Sequence, residues 1–448
     1  MSKIDIYKKL YLLLALSLAS FSWAYAEQNL QTEFNILSMQ ERANVIDRIL
    51  SKRVDLLMPK LMKQANVDMW ILISRENNED PVLKTFLPAT WLAARRRTIL
   101  VFSLLEDNTV KAEAMSRYDV GKVFTKAWDK EYQPDQMRAL IELIKARNPN
   151  RIALNQSDNY EIADGLVATD KELLFSYLPN QYRERVVSAE ELAVSWLETR
   201  IKEEVELQKH MVALTKAIIK QGFSNVVIRP RKTKIGDLVW WFRDKVNELG
   251  LQTWFQPSIR LQRKYKKMAV SEDPEEIILP GDLLHVDFGI SYLRLNTDIQ
   301  QHAYVLKQEE KQAPKFLINS LKVGNQLQDI LTSQFKIGIS GNEILSKSRE
   351  QALLSGIKPM IYSHPLGYHG HGAGTTIGKW DSQHGVAGEG DRVLHDNTAY
   401  AIELNATVYS EEWQKDVMIM LEENALFSQG KVEYLAPRQK QLILINYK

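Results

Sequence analysis

The chain has 448 residues, 58 basic and 56 acidic side chains, a formal net charge of +2 and no cysteine. This near balance of charge gives no bulk electrostatic reason to expect nucleic-acid binding. The lack of cysteine excludes disulfides, thiolate catalysis and cysteine-ligated zinc.

The first residues have the pattern of a secretory signal peptide. Three lysines precede the apolar run 11–19, YLLLALSLA, and Ala24 and Ala26 form a small-x-small cleavage site. An uncleaved anchor helix is the less favoured alternative, because the run is shorter than the ~20 residues that span a bilayer. The sequence therefore predicts a cleaved signal peptide at 1–26 and a periplasmic or secreted product without a stable membrane anchor.

Short apolar runs alternate with helical patterns over residues 27–195, which predicts an α/β N-terminal domain. Apolar residues recur every three or four positions in MQERANVIDRILSKRVDLLMPKLMKQ, as in an amphipathic helix. A second helix, DQMRALIELIKARNPN, is predicted to end at Asn148-Pro149. The predicted strands are MWILIS at 69–74, RTILVFS at 97–103 and RIALN at 151–155.

A long helix pair or bent helix is predicted from Ser188 to Phe223, leading into a second domain at 196–448. Ser188 and Glu191 have the spacing of a capping box that would start the first helix. Hairpin-like segments follow, and the sequence contains no P-loop, G-x-S-x-G or H-E-x-x-H motif. The second domain must therefore carry its chemistry on other residues.

Five residues in the last third of the chain have the chemistry of a two-metal site. They lie in the segments HVDFG, NTDIQQ, SHPLGYHGHG, AIELN and MLEEN, and are Asp287, Asp298, His364, Glu403 and Glu422. Oxygen ligands with a single imidazole suit Mn²⁺, Fe²⁺, Co²⁺ or Zn²⁺. Two such ions a few Å apart can activate a shared water and polarise a carbonyl. The pattern predicts a metallohydrolase with two divalent ions per chain.

The spacing of the two aspartates predicts a β-hairpin. Asp287 and Asp298 are an odd number of residues apart, so a hairpin that turns at Tyr292–Leu293 would place them opposite each other on one face. Two facing carboxylates repel unless a cation lies between them. Either aspartate alone could be an ordinary strand-end or turn residue.

At these residues the chain resembles the pita-bread, or M24-type, metallopeptidases, which include methionine aminopeptidase, Xaa-Pro aminopeptidase, prolidase and the creatinases. The resemblance rests on D-x-G at Asp287, a second Asp eleven positions on, H-x-x-G at His364 and two later glutamates. A further histidine, His371, follows His364 by seven positions. The resemblance covers roughly residues 198–448 and implies an α+β pita-bread catalytic domain behind the α/β N-terminal domain.

The resemblance also implies a role for each ligand. Asp287 would chelate the first ion, and Asp298 and Glu422 would bridge the two. His364 and Glu403 would complete the second ion, for which Mn²⁺ is the first expectation and Co²⁺, Fe²⁺ and Zn²⁺ are alternatives.

Two residues would take part in catalysis. Glu403 would pass the proton of the attacking water to the leaving amine, and His371 would donate a hydrogen bond to the substrate carbonyl. The resemblance thus implies a metallopeptidase of the Xaa-Pro aminopeptidase type that acts on short peptides, and the N-terminal pattern predicts its export. A homodimer is a further expectation, because in multidomain relatives the N-terminal domain can close over the active site of a neighbouring subunit. The alternative is a non-catalytic pita-bread protein that serves as a binding module or scaffold.

The residues around the metal ligands depart from the family pattern. Gln301 stands where relatives have an arginine, and Leu404-Asn405 replaces Pro-Gly after Glu403. Met420 and Met360 stand where Xaa-Pro-specific members have an arginine and a histidine.

A substrate-contacting histidine upstream of the first aspartate is also missing, because none lies between His210 and His285. The chain is therefore expected to be less strict for proline than Xaa-Pro-specific relatives. In the alternative, Arg294, Arg392 or His369 supplies the lost contact from another loop.

Overall fold

A computed structural model describes residues 30–266 and 270–447. The predicted signal peptide, 1–26, lies outside these residues. Within the described ranges, every helix is too short or too polar to cross a membrane.

The N-terminal part is built on a six-stranded mixed sheet. Its strands are β1 Met69–Arg75, β2 Arg97–Leu104, β3 Val110–Ala114, β4 Thr125–Lys126, β5 Ile152–Leu154 and β6 Val186–Ser188. They lie in the order β4-β3-β2-β1-β5-β6, with β1, β2 and β3 antiparallel and the other pairs parallel. The helices are α1 Met39–Gln64, α2 Pro81–Phe86, α3 Gln136–Arg147, α4 Ala168–Tyr177, α5 Asn180–Arg183 and α6 Glu190–Glu198, with a 3₁₀ turn at Glu161–Ala163.

Strand β1 shows why its sequence is apolar without alternation. Trp70 and Leu72 pack into one core, whereas Ile71 and Ile73 pack into a second core on the opposite face. Successive side chains of a strand point to opposite faces, so a strand covered by helices on both faces is continuously apolar. The predicted α/β character of this part is confirmed.

The predicted helix pair is present as α6 and α7 Lys202–Gly222, but the predicted capping box is wrong. Ser188 is paired in β6, and its Oγ accepts a hydrogen bond of 3.0 Å from Glu190 N, so Ala189 becomes the N-cap. Trp196 of α6 packs in the first core, so the proposed boundary after residue 195 falls inside a helix of that core. The position of the domain boundary stays a prediction.

A nine-stranded sheet forms the C-terminal part. Its strands are β7 Ser258–Gln262, β8 Leu283–Phe288, β11 Ile299–Val305, β12 Lys358–Ile361, β13 His364–Pro365, β14 Thr398–Ser410, β15 Lys415–Ser428, β16 Lys431–Tyr434 and β17 Ile443–Ile445. The main path is β12-β14-β15-β11-β8-β7; β13, β16 and β17 pair with β14, β15 and β11. A short hairpin, β9 Ser291–Tyr292 and β10 Leu295–Asn296, extends beyond β8 and β11.

Helices cover one face of this sheet and leave the other face for polar side chains. Helices α7 and α8 Ile235–Glu248 share a core with β7, β8 and β11, and helices α9 Lys315–Ser333 and α10 Gly341–Leu354 share one with β14 and β15. In β15, Ile419 and Leu421 point into that core, so Met420 and Glu422 point to the opposite face. We call this second face the concave face.

The hairpin that carries the two aspartates forms in a different register from the one predicted. Asp287 pairs with Gln300, not with Asp298, because the chain turns at Leu293–Arg294. Both turn residues have positive φ, 51° and 69°, as a two-residue turn of this kind requires. The shift is two residues, an even number, so both aspartates remain on the concave face.

Candidate metal centre

The five predicted ligands converge on the concave face from five chain segments. Asp287 lies near the end of β8, and Asp298 immediately precedes β11. Glu403 of β14 and Glu422 of β15 are cross-strand neighbours, and His364 begins β13. Asp287, Asp298 and Glu422 form one group whose ligand atoms all lie within 4.8 Å of one another. His364, Glu403 and Glu422 form a second group of the same size, so Glu422 is common to both.

Several of the ligand atoms are buried without a partner. Asp287 Oδ1, Asp298 Oδ1, Glu422 Oε1 and His364 Nε2 are inaccessible to solvent and have no hydrogen-bond partner. His364 Nε2 lies 3.7 Å from Glu422 Oε1 and 3.9 Å from Asp298 Oδ2. Buried polar atoms are normally satisfied, so a cluster of orphaned ones indicates a missing partner.

Burial raises the pKa of every carboxyl in the cluster, and neighbouring carboxylates add to the effect at Asp298, Glu403 and Glu422. The pKa of Asp287 rises to about 6 through burial. The pKa values of Asp298, Glu403 and Glu422 rise well above the usual range, because burial and adjacent negative charge both disfavour ionisation. A cation between them removes that repulsion, so the electrostatics favour metal binding.

His364 is prepared to act as a nitrogen ligand. Burial lowers its pKa to about 4, so the imidazole is neutral at pH 7. Nδ1 lies 3.0 Å from the carbonyl oxygen of Pro365, which places the proton on Nδ1 and leaves the Nε2 lone pair free. The free Nε2 is the atom that faces the carboxylates.

Sequence reasoning missed the residues that hold the ligands in place. Gln300 donates hydrogen bonds from Nε2 to Glu403 and to Glu422, the latter at 3.1 Å, and its Oε1 lies 2.9 Å from His285 Nε2. Asn424 Nδ2 donates to the Asp298 carbonyl oxygen at 2.6 Å. Gln301, at the position of the family arginine, pairs with Val286 and therefore lies on the opposite face.

His371 lies beside the predicted ligands. It forms a third group with Asp298 and His364, again within 4.8 Å, and the His364 and His371 ring centroids are 4.7 Å apart. The His371 ring also contacts Trp254 edge-on at 5.1 Å. Gly370 allows this contact, because a Cβ there would lie 2.2 Å from the Trp254 ring. Burial lowers the pKa of His371 to about 4, so its neutral imidazole can donate one hydrogen bond.

A cavity of about 410 Å³ opens beside the cluster. Its walls include His371, Glu403 and Tyr362 from the C-terminal part and Tyr160 from the N-terminal part. The volume falls within the range of small-ligand sites. A substrate can therefore reach the cluster through a cavity that both parts of the chain build.

The three residues considered as replacements for the missing contacts differ in their surroundings. Arg294 donates to the Leu87 carbonyl oxygen at 2.7 Å, and Arg392 binds Glu198 at 2.7 Å, so both guanidinium groups are committed elsewhere. His369 is largely buried, and burial lowers its pKa to about 4. Met360 and Met420 do lie on the concave face, near Glu403 and Glu422.

The five-ligand geometry agrees with the comparison with protein families. The model of metallopeptidase family M24 matches residues 206–429, which is half of the chain. The chain belongs to metallopeptidase family M24. The predicted family and the predicted pita-bread catalytic fold are confirmed.

Solved structures share the fold over most of the chain. The X-Pro aminopeptidase of Thermotoga maritima is 14% identical at a TM-score of 0.61, over 86% of this chain and 99% of that chain. The Xaa-Pro dipeptidase of Bacillus anthracis is 14% identical at 0.57, over 91% and 100%. Aminopeptidase P of E. coli is 12% identical at 0.58, over 90% and 97%. At these identities the likeness shows the fold. A search of curated protein sequences finds no match.

The residues present fit the metal dependence of an M24 peptidase. Four carboxylates and one imidazole converge, their orphaned atoms face one another, and their raised pKa values are those of groups that lack a cation. The individual roles of the ligands and of His371 stay predictions.

Proposed function

We propose that this M24 protein is an exported peptidase that binds two divalent ions and hydrolyses short peptides from the N-terminal end, as an Xaa-Pro aminopeptidase does. The observation that carries the proposal is the convergence of all five predicted ligands, with four buried oxygen and nitrogen atoms that have no hydrogen-bond partner. The overlap of two ligand groups at Glu422 supports two ions, with Mn²⁺ as the first candidate. The names of the structural relatives support a peptidase that cuts near proline.

In the proposed mechanism the chain positions one proton-transferring group and one hydrogen-bond donor around the bond that is cut. The metal ions, when bound, supply Lewis-acid activation of water and of the substrate carbonyl. Glu403 accepts the proton of the attacking water on its carboxylate and delivers it to the leaving amine nitrogen. Gln300 holds that carboxylate in place from β11. His371 donates a ring N–H to the carbonyl oxygen as negative charge develops there.

Metal reconstitution tests the proposal. The protein is stripped with a chelator, reloaded separately with Mn²⁺, Co²⁺, Fe²⁺ or Zn²⁺, and assayed for metal per chain and for hydrolysis of dipeptides and tripeptides. We expect an inactive stripped protein and recovery with about two ions per chain. Asp298→Asn and Glu422→Gln should lose both metal and activity, whereas Glu433→Gln, on the exposed strand β16, should retain both. Full activity in the stripped protein contradicts the proposal.

Export is the second part of the proposal and rests on residues 1–26 alone. We expect the mature chain to begin at Glu27 and to be found outside the cytoplasm, as a periplasmic or secreted protein. N-terminal sequencing of protein from its native host measures this. An intact Met1 in the membrane fraction contradicts it.

A further inference from the structure

Arg260 is a cation beside the proposed metal ligands that the mechanism above does not use. It lies in β7 opposite His285, two positions from Asp287 on the concave face. Its Nη1 is 3.6 Å from Met420 Sδ, at the residue that precedes Glu422 on the same face. The guanidinium therefore lies on the same face of the sheet as the predicted ligands Asp287 and Glu422, in contact with Met420.

The present partner of Arg260 can be displaced. Arg260 Nε lies 2.7 Å from Glu272 Oε1, but the Glu272 side chain is 61% exposed and the Arg260 side chain is 31% exposed. Ion pairs that are open to solvent contribute little stability. By contrast, Arg263, which follows β7, forms ion pairs with Asp282 at 2.6 Å and with Glu276 at 2.9 Å. Both of these carboxylates are nearly buried. Arg263 is a structural residue, whereas Arg260 remains available to a ligand.

The chemistry of a dipeptide matches this position. The cluster of carboxylates and its cations select the amide that is cut, and a free peptide carboxylate needs a separate cation. In a dipeptide that carboxylate lies one residue, about 3.5 Å of chain, beyond the amide. A guanidinium binds a carboxylate through two parallel hydrogen bonds, which a neutral amide cannot reproduce.

We propose that Arg260 binds the free α-carboxylate of dipeptide substrates and makes the enzyme prefer dipeptides to longer or amidated peptides. The inference rests on the proposed peptidase function and specifies its substrate class. Among the arginines considered for this role, Arg294 and Arg392 donate to partners in the N-terminal part. Arg260 lies on the concave face, in strand β7. The position at which Xaa-Pro-specific relatives have an arginine, Met420 here, lies on strand β15.

Substrates that differ only at the carboxyl end test the proposal. Metal-loaded wild type is assayed with Ala-Ala, Ala-Ala-amide, Ala-Ala-Ala and Ala-Glu-amide, beside the variants Arg260→Met, Arg260→Lys and Arg243→Met. We expect Arg260→Met to lose roughly 10- to 100-fold in kcat/KM on Ala-Ala, mainly through KM, and little on the amide. Arg260→Lys should recover part of the lost kcat/KM, because lysine retains the positive charge but cannot form the two parallel hydrogen bonds of a guanidinium.

Two further measurements separate binding from structure. Arg243 is an exposed helix residue whose Nη1 donates to Gln256 Oε1 at 2.6 Å; Arg243→Met is the matched control and should leave every rate unchanged. Metal per chain and the unfolding temperature of Arg260→Met should equal those of the wild type. The double variant Arg260→Met/Met420→Arg places a guanidinium on β15 instead of β7. Ala-Ala hydrolysis by this variant should recover in part.

The outcomes distinguish this inference from the proposed function. Equal losses on Ala-Ala and Ala-Ala-amide, or a loss of metal, overturn the inference and assign Arg260 to positioning the metal ligands. Ala-Glu-amide carries a carboxylate on its side chain and none at its C-terminus. A loss of rate confined to this peptide, or an unchanged rate on Ala-Ala, also overturns the inference. If metal-loaded wild type hydrolyses none of the four peptides, the proposed function fails first and the inference falls with it.

Discussion

His371 and Glu403 illustrate how single residues divide the work of this site. Glu403 is shared between the predicted metal set and the proton transfer, so its replacement would confound the two roles. His371 contacts the same group from a loop, and the part of its ring that is not packed against His364 and Trp254 lines the cavity. Its role can therefore be tested without dismantling the predicted ligand set.

His371→Ala should keep both metal ions and lose kcat by on the order of 10²–10³, because a preformed donor to the developing oxyanion is removed. Metal stoichiometry and kcat measured on one preparation separate the two roles. The control is His384→Ala, since His384 is an exposed histidine later in the same loop region. Metal loss in His371→Ala would move this residue into the ligand set, and an unchanged kcat would make it structural.

Proline selectivity should be modest, because Met360 and Met420 line the concave face where Xaa-Pro-specific relatives carry charged donors. Thioether side chains adapt to substrate shape and offer no directional hydrogen-bond donor. We expect kcat/KM for Ala-Pro-Ala and Ala-Ala-Ala to differ by no more than about 10–200-fold. A proline preference above about a thousandfold contradicts this expectation.

At the level of elements, the hairpin β8–β11 combines a successful prediction with an unsuccessful one. The strands and their shared face were predicted from the odd spacing of Asp287 and Asp298. The register was not predicted correctly, because Leu293–Arg294 has none of the Asn-Gly or Gly-rich signals of a two-residue turn. Arg294 donates to the Leu87 carbonyl oxygen, so a contact with the N-terminal part holds a turn that local sequence does not favour.

Contacts between segments that are distant in sequence also explain which site residues could not be predicted. The five ligands are recognisable by residue type and spacing, and the structure brings all five together. Gln300 carried one available signal, since it is two positions after Asp298 and so shares its face. Arg260 carried none, because its nearness to Met420 depends on strands β7 and β15, which lie far apart in sequence.

Gly289→Ala should destabilise the hairpin and weaken metal binding. A Cβ at Gly289 would lie 2.1 Å from the Thr297 carbonyl oxygen and 2.8 Å from Trp254 Nε1, so the strands must separate where they place Asp298. Urea unfolding and metal titration measure the two effects. Gly356→Ala is the control: its positive φ, 73°, strains an alanine there, but the added Cβ meets nothing within 4 Å, so this variant should lose stability without losing metal affinity. Equal metal affinity in the two variants contradicts the prediction.

At the scale of the whole molecule, a buried ionic cluster connects the N-terminal helix α1 with the loop between His364 and His371. Arg53 donates to the Glu204 carboxylate and to the Thr199 carbonyl oxygen, the latter at 2.7 Å. Arg200 Nη1 binds the same Glu204 at 3.2 Å, and both guanidinium groups lie 5.2 Å from the ring centroid of Tyr368. Tyr368 lies between His364 and His371 in sequence, so the two parts of the chain are coupled at the proposed site.

Arg53→Met should lower the free energy of unfolding by about 3–5 kcal/mol, because it leaves Glu204 buried with only one of its two cations. Denaturant unfolding measures this change. Arg48→Met, on an exposed position of the same helix, should change the value by less than about 0.5 kcal/mol. Similar values for the two variants would show that the buried cluster contributes no net stability.

The carboxylate cluster should also make the metal-free protein less stable as pH rises. Its folded-state pKa values are raised, so its contribution is present below the unfolded pKa of about 4 and is lost as pH rises through the folded values. For Asp287 the folded pKa is about 6. Bound Mn²⁺ replaces the protons, so the rise in unfolding temperature on adding Mn²⁺ should be larger near pH 8 than near pH 5.

Thermal unfolding with and without Mn²⁺ across this range measures the effect. Asp298→Asn should show little response to the ion at either pH, because it removes one of the shared oxygen ligands. A Mn²⁺ response that falls as pH rises would contradict the prediction.

The two pairs of acidic ligands sit in separate local hairpins, and this arrangement has a kinetic consequence. Asp287 and Asp298 are joined by one short connection, and Glu403 and Glu422 by another between the paired strands β14 and β15. Contacts close in sequence form before distant ones, because short loops close at small entropic expense. We therefore expect each hairpin to form early in folding, which brings its two carboxylates together, and the two hairpins to pair with each other later. A divalent ion would then act at that late step, accelerating assembly as well as stabilising its product.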